Sequence, residues 1–553
     1  MSSRNEHAAS TAPSRTRLFR NDWSVLTPAR PDELRATKSL SVIIPAYNCQ
    51  ESLNLTLAAL SHQTYPAELT EVVVVDDGSE PPIELPKIRP ENTRIIRVAD
   101  HSDGWGRSNA LHVGAVNSDG EILHWLDADM VAFPEHLAAQ ARWHHVSDEV
   151  VTLGYKRFVN TGWATPEEVS EHCADGTIDR LFPADDTEPH DYVEELIDKT
   201  DQLRRGTHLN FLAHVGATAA LHRTLYLASG GLNTRLRLGE DTEFGYRLAQ
   251  TGAVFVPEPQ ARSWHMGPSH MMVKGKPLRR YNRPHLADLM AQPRYLRRGT
   301  SGNWTVPLVT VTIPVEGTFE VVRTCVDRLL AGDLTDLRIK LVADWSACTD
   351  ERRSVLDDPF LDRRLVGVTF GPDPRIELVE HAPESVFPAP FRLDLPPHAG
   401  FDVDTLRRMI NLADQKQIGL LRLLPTGAKS RHDAVALWRT SAVSRATRVR
   451  RPDEALDKVV AEVAGEQWLS GRDFGVVDLR QLTEEELVPP RPRRVSWPGQ
   501  HIGWAGTGDV ETIPVGGLRS LANATRFVAR RAASDAAREV KQRVRHRRIP
   551  GNG

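Results

Sequence analysis

One short stretch, "EVVVVDDGS" at residues 71–79, constrains the fold of this 553-residue chain more than any other. Four consecutive valines that end in two aspartates predict a strand buried on both of its faces, as in a parallel sheet. The stretch follows the apolar run "SLSVIIPAYN" and a segment in which Leu53, Leu57 and Leu60 recur at helical spacing. The three segments together predict a strand–helix–strand unit with two parallel strands.

The same plan recurs further along the chain as "TRIIRVAD", "GRSNALHVGAVNS" and "EILHWLDADM". Alternating strands and helices of this kind predict a doubly wound α/β sheet. Ligands of such sheets bind at the carboxyl ends of the strands. Asp76, Asp77, Asp127 and Asp129 all follow predicted strands directly, so these carboxylates are expected to converge at one edge of the sheet.

A second α/β domain is expected from about Pro307 onward, because the opening plan repeats there from Pro314 to Asp344. We interpret this repeat as an internal duplication whose second copy is degenerate. The stretch "QIGLLRLLPTG", taken as the counterpart of the strand before Asp127, carries no carboxylate. The expected parts of the chain are a flexible leader (1–37), a catalytic domain (38–300), the second domain (301–485), a Pro/Arg-rich connector (486–515) and a basic amphipathic helix (516–553).

The composition and the charge of the chain limit its expected cellular location and partners. The net charge is −4, and no apolar run approaches the ~18 residues of a membrane span. The beginning of the chain has no apolar core typical of a secretory signal. The cysteines show no metal-ligand spacing, and the expected location is therefore the reducing cytoplasm. No nucleic-acid partner is expected.

The pair Asp127 and Asp129 carries the strongest chemical signal. Alternate residues of an extended chain share one face, so both carboxylates are expected to point to the same place. A hard divalent cation, Mg²⁺ or Mn²⁺, relieves their repulsion and usually binds substrate phosphates as well. The alternative for an isolated motif of this type is a solvated acidic turn.

Five motifs in fixed order strongly resemble family 2 glycosyltransferases of the GT-A fold, a Rossmann-like and mostly parallel α/β architecture. They are "SVIIPAYN", "VVVVDDGS", "GRSNALHVG", "LDADM" and "GEDTEFGYRLAQTG". The last motif, with the later "SWHMG", also resembles the galactosyltransferase and polypeptide N-acetylgalactosaminyltransferase branch. The resemblance covers roughly residues 38–290. It implies transfer of a sugar from a nucleoside diphosphate, expected to be UDP, to a glycan or lipid-linked acceptor of the cell envelope or capsule.

The resemblance also implies residues that bind the donor. Pro45, Ala46 and Tyr47 match the family's first nucleotide-side loop. Asp77 matches its uridine-contacting acid, and Asp76 is expected to support Asp77, with a turn-capping role as the alternative. Arg107 and Asn109 fall where the family contacts the diphosphate or the donor sugar, although the order of residues here departs from the usual one.

The catalytic and metal-binding residues follow in the same way. The resemblance implies that Asp129 ligates the metal directly. It implies that Asp127 binds the ribose or the donor sugar, or ligates the metal. His265 is the expected third metal ligand, with His270 as its rival. Asp241 is the implied base of an inverting transfer, and Glu240 is expected to orient the acceptor. A simple helix cap is the alternative for this last pair.

Several interpretations stay open. The segment "MMVKGKPLRRYNR" is either a mobile basic loop over the diphosphate or an ordinary solvated loop. The basic C-terminal helix either docks on anionic lipid or forms a solubilising tail, and homo-oligomers are allowed. The absence of a "QxxRW" segment argues against a processive membrane synthase. The alternative functions are a nucleotidyltransferase acting on sugar phosphates and a non-catalytic sugar- or nucleotide-binding scaffold.

Overall fold

A computed structural model describes residues 16–297, 303–428 and 430–487 of the chain. The chain divides into two compact units, Met1–Val488 and Pro489–Gly553, and the described residues all belong to the first. Nearly all of the predicted connector (486–515) and the whole predicted basic helix (516–553) lie outside the described residues.

The first half of the chain forms a large sheet with helices on both faces. Its strands are β1 Leu40–Ala46, β2 Thr70–Asp76, β3 Thr93–Arg97, β4 Ile122–Leu126, β5 Met130–Ala132, β6 Val150–Val159, β7 Thr187–Pro189, β8 Thr218–His222 and β9 Val254–Met266. Its helices are α1 Gln50–Leu60, α2 Arg107–Val116, α3 His136–His144, α4 Pro166–Ala174, α5 Asp191–Lys199, α6 Arg223–Ala228, α7 Glu240–Gln250 and α8 His270–Leu289.

Within the described residues the strand order of this sheet is β3-β2-β1-β4-β8-β6-β9-β5, with β7 paired to β6. The strands from β3 to β4 are parallel, whereas β8 runs antiparallel to both of its neighbours. The valines of β2 are buried on both sides, as the unbroken apolar run predicts. The carboxyl ends of β1, β2 and β4 consequently meet at one edge of the sheet.

The second half forms another sheet. Its strands are β10 Val309–Pro314, β11 Leu337–Val342, β12 Ile376–Val379, β13 Phe391–Asp394, β14 Ala399–Gly400, β15 Leu420–Leu424, β16 Val435–Arg439, β17 Glu466–Ser470 and β18 Val477–Asp478. Its helices are α9 Phe319–Leu330, α10 Leu361–Phe370, α11 Thr405–Lys416, α12 Thr440–Val449, α13 Leu456–Ala464 and α14 Glu484–Leu487.

The second sheet repeats the topology of the first. Its order, β12-β11-β10-β13-β16-β15-β17, corresponds strand for strand to β3-β2-β1-β4-β8-β6-β9. The directions also agree: β13 and β16 are antiparallel like β4 and β8, and β15 and β17 are parallel like β6 and β9. This correspondence supports the interpretation of the second half as a degenerate copy.

The counterpart of the strand before Asp127 is β13, and the sequence-based assignment of "QIGLLRLLPTG" to that place was wrong. That stretch contains β15, which corresponds to β6. The carboxylate that ends β13 is Asp394, and it accepts a hydrogen bond from Trp438 Nε1 at 2.8 Å and ion-pairs with Arg392. In the pairing register Asp394 takes the place of Trp125, not of Asp127, and its carboxylate serves the packing of its own sheet.

The expected flexible leader is a packed segment over residues 16–37. Leu18 is fully buried, and the Arg20 amide donates to the Val463 carbonyl at 2.7 Å. The Asn21 side chain hydrogen-bonds the backbone of Leu203 and Phe255. The leader expectation was therefore wrong for these residues. The segment lies against both halves of the chain, but it contains too few apolar side chains for its sequence to predict this packing.

The basic segment after β9 is helical, so neither loop interpretation of "MMVKGKPLRRYNR" is correct. It lies within α8, whose backbone is interrupted at Lys274 (φ −124°, ψ 29°). Pro277 falls in the first turn after this kink, where a missing amide hydrogen costs little. Gly275 and Pro277 therefore mark a helix restart where the sequence suggested a loop. In the described part of the chain, no helix is long and apolar enough to cross a membrane.

Candidate active site

A cavity of about 600 Å³ opens at the carboxyl-terminal edge of the first sheet. It brings together residues from β1, β2, β4, β9 and the starts of α2 and α7. The predicted site residues that line it are Pro45, Ala46, Tyr47, Asp77, Arg107, Asp127, Asp129, Glu240, Asp241 and His265. Three acidic segments that are far apart in sequence thus share one cavity.

The turn after β4 places Asp129 against β9. The Met130 amide donates to the Asp127 carbonyl, and Met130 pairs with His265 in the antiparallel β5–β9 ladder. The Met266 amide donates to the Asp129 carbonyl at 2.8 Å. Backbone hydrogen bonds therefore hold Asp129 and His265 side by side.

The side chains of Asp129 and His265 form a pair suited to a divalent cation. His265 Nε2 lies 3.8 Å from Asp129 Oδ1, and Nδ1 lies 3.0 Å from the Gly267 carbonyl oxygen. Donation from Nδ1 to that carbonyl leaves a lone pair on Nε2, which is the tautomer that ligates metals. Asp129 Oδ1 is buried without a hydrogen-bond partner, and burial raises the pKa of this carboxyl while His265 lowers it.

This pair fits Mg²⁺ or Mn²⁺ as a partial ligand set. Among the described residues, no three His, Cys, Asp or Glu side chains converge on one point. Mg²⁺ commonly binds one or two protein carboxylates and completes its shell with waters and substrate phosphates. The orphaned oxygen of Asp129 and the oriented Nε2 of His265 agree with such a site.

Arg107 links the two other acidic segments. Its Nε and Nη2 donate to Asp127 Oδ1 at 2.9 and 2.7 Å, and its Nη1 donates to Glu240 Oε1 at 2.8 Å. Nη2 also donates to the Gly216 carbonyl at 2.6 Å. Both carboxylates raise the pKa of Arg107. Asp127 Oδ1 is thus held by Arg107, and Asp127 does not join Asp129 and His265 in one ligand cluster.

Asp241 faces the cavity one residue after Glu240, at the start of α7. Gly239 precedes the pair with a positive φ of 79°, which turns the chain into the helix. Asp241 Oδ1 accepts from the Thr242 amide at 2.7 Å. Asp241 lines the cavity, and within the described residues no hydrogen bond reaches its Oδ2. Burial raises the pKa of Glu240 against the opposing effect of Arg107.

Another wall of the cavity is formed by the loop after β1 and by Asp77. Tyr47 is 62% exposed at the mouth of the cavity. Asp77 Oδ2 accepts from the Gly106 amide at 2.7 Å, and burial raises the pKa of this carboxyl. Across the same opening, the Arg237 guanidinium stacks 4.5 Å from the ring centre of Trp105.

Two predicted donor-binding residues lie outside the cavity wall. Both oxygens of buried Asp76 accept amide hydrogen bonds of the following turn, from Ser79 at 2.8 Å and Ile83 at 3.3 Å. Asn109 is buried in α2 and accepts from Ser102 Oγ at 3.0 Å. Asp76 therefore follows its turn-capping alternative, and Asn109 serves the loop that precedes α2.

Sequence reasoning missed Lys156, His190 and Tyr192, all of which line the cavity. Lys156 is only 7% exposed on β6, and burial lowers its pKa while Asp127 and Asp129 raise it. Within the described residues its ammonium makes no hydrogen bond or ion pair, and it lies 5.5 Å from the Phe158 ring centre. The signal was one lysine at a buried position of a strand that is mostly apolar.

Comparisons with known proteins show which proteins this chain resembles. Residues 41–227 match the family model for glycosyl transferase family 2. The chondroitin synthase of Escherichia coli is 25% identical over 353 residues, which cover 59% of this chain and 49% of that protein. The hyaluronan synthase of Pasteurella multocida is 26% identical over 360 residues, covering 62% of this chain and 35% of that protein. The chain thus spans about a half and a third of the lengths of these relatives.

A solved mannosyltransferase from Pyrobaculum calidifontis, in complex with GDP-Man and Mn²⁺, has a TM-score of 0.32 and 19% identity. It is matched over 50% of this chain and 68% of its own. The sheet order, with an acidic cavity at the carboxyl-terminal edge, agrees with an α/β fold of the GT-A type. Through residues 41–227 the chain is similar to glycosyl transferase family 2.

Proposed function

We propose that this protein transfers a sugar from a nucleoside diphosphate, UDP in the first instance, to a hydroxyl group of a polysaccharide-type acceptor. One observation carries the proposal: Asp77, the Asp129–His265 pair and Asp241 line the same cavity. These groups supply in one place a nucleoside contact, a cation site and a base. The names of the relatives, chondroitin synthase and hyaluronan synthase, support a polysaccharide acceptor.

The donor is held by its nucleoside on one side of the cavity. Asp77 Oδ1 is buried without a partner in the described structure, and a carboxylate oxygen accepts from a base N–H or a ribose hydroxyl. The Pro45–Tyr47 loop forms the adjoining wall. Asp129 and His265 would hold a divalent cation, whose charge would stabilise the departing diphosphate.

The acceptor hydroxyl is activated by Asp241, at the start of α7. Asp241 Oδ2 takes the proton as the hydroxyl oxygen bonds to the anomeric carbon and the carbon–oxygen bond to the diphosphate breaks. This single displacement inverts the anomeric configuration. Glu240 cannot serve as the base in the same way, because its carboxylate is already held by Arg107.

Lys156 adds a positive charge to the leaving-group side. Arg107 is paired with two carboxylates, and Arg237 stacks on Trp105 and donates to the Thr234 carbonyl. The Lys156 ammonium is near Asp127 and Asp129. It is therefore the side-chain cation best placed to donate a hydrogen bond to a diphosphate oxygen.

The test is a transfer assay with UDP-sugars, Mn²⁺ and a set of glycan acceptors. The Asp241→Asn variant keeps the shape of the side chain and removes the base, so kcat is expected to fall by about 10²–10⁴ with little change in donor affinity. Asp175→Asn, at an exposed carboxylate after α4, is the control. NMR of the product reads the anomeric outcome. Unchanged turnover in Asp241→Asn would remove Asp241 as the base, and a retained anomer would exclude the single displacement.

A further inference from the structure

A second cavity, of about 800 Å³, opens beside the catalytic one. It lies between the start of α1, the loop over residues 79–86 and Trp163, and we call it the α1 groove. Cys49 and Ser52 line both cavities, so the two are adjacent. Further along α1, Thr56 Oγ1 accepts a hydrogen bond at 3.1 Å from the amide of Met130, which follows Asp129. The α1 groove therefore meets the active site at its metal-binding end.

The walls of the α1 groove are fixed by hydrogen bonds. Gln50 clamps Glu84 from both sides: its Oε1 accepts from the Glu84 amide and its Nε2 donates to the Glu84 carbonyl, both at 2.9 Å. Asn48 Oδ1 accepts from the Glu80 amide at 2.9 Å. The carboxylate of Asp76 holds the same loop from below. These contacts make the α1 groove a built surface, and they give Asp76 its structural purpose.

Trp163 presents an aromatic face on the rim of this groove. The indole is 60% exposed, although the loop that carries it is anchored. Asp186 accepts from the Thr161 amide and hydroxyl and, at 2.7 Å, from the Gly162 amide. An exposed indole on an anchored loop offers a flat apolar face on which a ligand in the groove can stack.

The chemistry of the lining fits an uncharged sugar chain. Asn48, Gln50 and Asn54 offer amide groups, and Glu51, Glu80 and Glu84 offer carboxylates that accept from hydroxyls. The described lining contains three carboxylates and no Lys, Arg or His, so an anionic glycan would be repelled. An aromatic face beside convergent polar groups is the usual composition of a small-molecule or sugar site.

We propose that the α1 groove binds the sugar units of an uncharged glycan acceptor that lie beyond the unit being modified, with one unit stacked on Trp163. The proposal rests on the transferase function above and names its acceptor class. The groove distinguishes acceptors by their length, which the catalytic cavity cannot do, because only acceptors long enough to reach Trp163 gain affinity from the groove.

Equilibrium binding tests the groove without any turnover. The probes are immobilised neutral oligosaccharides of two and six hexose or N-acetylhexosamine units, and six-unit oligosaccharides that contain uronates. Wild type is expected to retain neutral six-unit glycans best, and Trp163→Ala is expected to lose roughly tenfold in affinity for them, which corresponds to a stacking contribution of about 1.4 kcal/mol. Trp468→Ala, at a 41% exposed tryptophan of β17, is the matched control and should behave as wild type. A preference of wild type for uronate glycans, or equal binding by Trp163→Ala, overturns the proposal.

A charge-reversal variant tests the groove proposal independently. Glu51→Lys changes an exposed carboxylate of the groove that makes no ion pair within the described residues, so folding should be unaffected. This variant is expected to gain affinity for the uronate glycans and to lose none of its affinity for UDP. Unchanged glycan selectivity in Glu51→Lys contradicts the proposed role of the groove. A changed UDP affinity in Trp163→Ala would assign the groove to the donor, and this result would overturn the proposal as well.

Transfer kinetics separate failure of the groove from failure of the transferase function. With an accepted glycan, Trp163→Ala should raise KM about tenfold for the six-unit acceptor and leave the two-unit acceptor unchanged. If wild type transfers sugar and the length dependence is the same in both proteins, the groove proposal is wrong and the transferase function stands. If wild type transfers to no acceptor but binds neutral glycans through Trp163, the groove stands and the proposed function is wrong.

Discussion

Arg107 Nη1 donates a hydrogen bond to Glu240 Oε1 at 2.8 Å and so joins residues that are 133 positions apart in the chain. The same guanidinium holds Asp127, so one side chain fixes the starts of α2 and α7 and the end of β4. The carboxylates of Asp127 and Glu240 would otherwise repel each other in a partly buried place. Arg107 therefore acts as the internal counter-ion of the site.

Replacing Arg107 with Met is expected to destabilise the protein by about 3–5 kcal/mol, because two partly buried carboxylates lose their counter-ion. Urea unfolding of the purified variant measures this loss. The double variant Arg107→Met with Glu240→Gln removes one of the stranded charges and should recover part of the stability. Strict additivity of the two single changes would contradict a coupling between these side chains.

Metal affinity should depend on Asp129 and His265 together. Asp129→Asn and His265→Ala are each expected to weaken Mn²⁺ binding by at least about tenfold, measured by calorimetry or by the EPR signal of free Mn²⁺. Asp119→Asn, at an exposed carboxylate in the turn before β4, is the control. Equal Mn²⁺ affinity in wild type and both variants would show that the ligands lie elsewhere.

The Lys156→Met variant should lower the affinity for UDP without lowering the stability of the protein. A buried ammonium without a hydrogen-bonded partner is costly, so an apolar side chain of similar length is expected to leave the free energy of unfolding unchanged or to raise it. The affinity for UDP is expected to fall roughly tenfold, because the diphosphate loses a charge-assisted hydrogen bond. A variant that unfolds more easily and binds UDP normally would mean that Lys156 serves only to balance the acids around it.

The amino-acid sequence is informative wherever function depends on strand ends. The apolar runs predict β1, β2 and β4, and the acids that follow these strands therefore mark the edge of the sheet where the cavity lies. The sequence is uninformative where a role depends on three-dimensional partners. Nothing adjacent to Arg107 in sequence reveals that Glu240 is its partner, and Asp76 and Asp77 are neighbours that point to different places.

The same limit explains the errors outside the site. Residues 16–37 pack through a few side chains and many backbone hydrogen bonds, which leave little mark on composition. Residues 270–289 contain two prolines, and only the kink at Lys274 makes the first of them compatible with a helix. Topology, by contrast, survives sequence change, and this is why the second sheet repeats the first after its acid pair was lost.

Acid should destabilise the protein through its buried histidines. His136 is fully buried, with Nδ1 2.9 Å from the Arg262 carbonyl oxygen and Nε2 3.0 Å from Thr218 Oγ1, an arrangement that suits the neutral ring. Burial lowers the pKa of His136 to about 4 and that of His144 to about 3. The unfolded chain binds these protons near its ordinary histidine pKa of 6.5, so stability is present above that value and is lost as the pH falls toward the folded values.

The expected loss from His136 alone is about 2 kcal/mol between neutral pH and about pH 5. Urea unfolding at the two pH values measures it. In His136→Gln the pH dependence should shrink by about that amount, whereas His101→Gln, at an exposed histidine, should leave it unchanged. A wild-type protein that is equally stable at both pH values would contradict this prediction.

Arg445 tests whether the second half of the chain acts as a scaffold for the first. This buried residue of α12 donates to the carbonyls of Gly252 at 2.8 Å and Leu18 at 3.3 Å, and it also contacts the Arg20 and Ala253 carbonyls. Arg445→Met leaves these carbonyls unpaired, and the expected cost is about 3 kcal/mol of unfolding free energy. Arg451→Met, at an exposed arginine, is the control.

Turnover of the folded Arg445→Met variant is expected to match wild type. Gly252 follows the end of α7, and the eleven residues of that helix separate it from Glu240 and Asp241 by roughly 16 Å. The contact therefore supports the helix without touching the groups that react. A fall in kcat with no loss of stability would reverse the assignment, because the second half would then act on catalysis and not only on the fold that carries it.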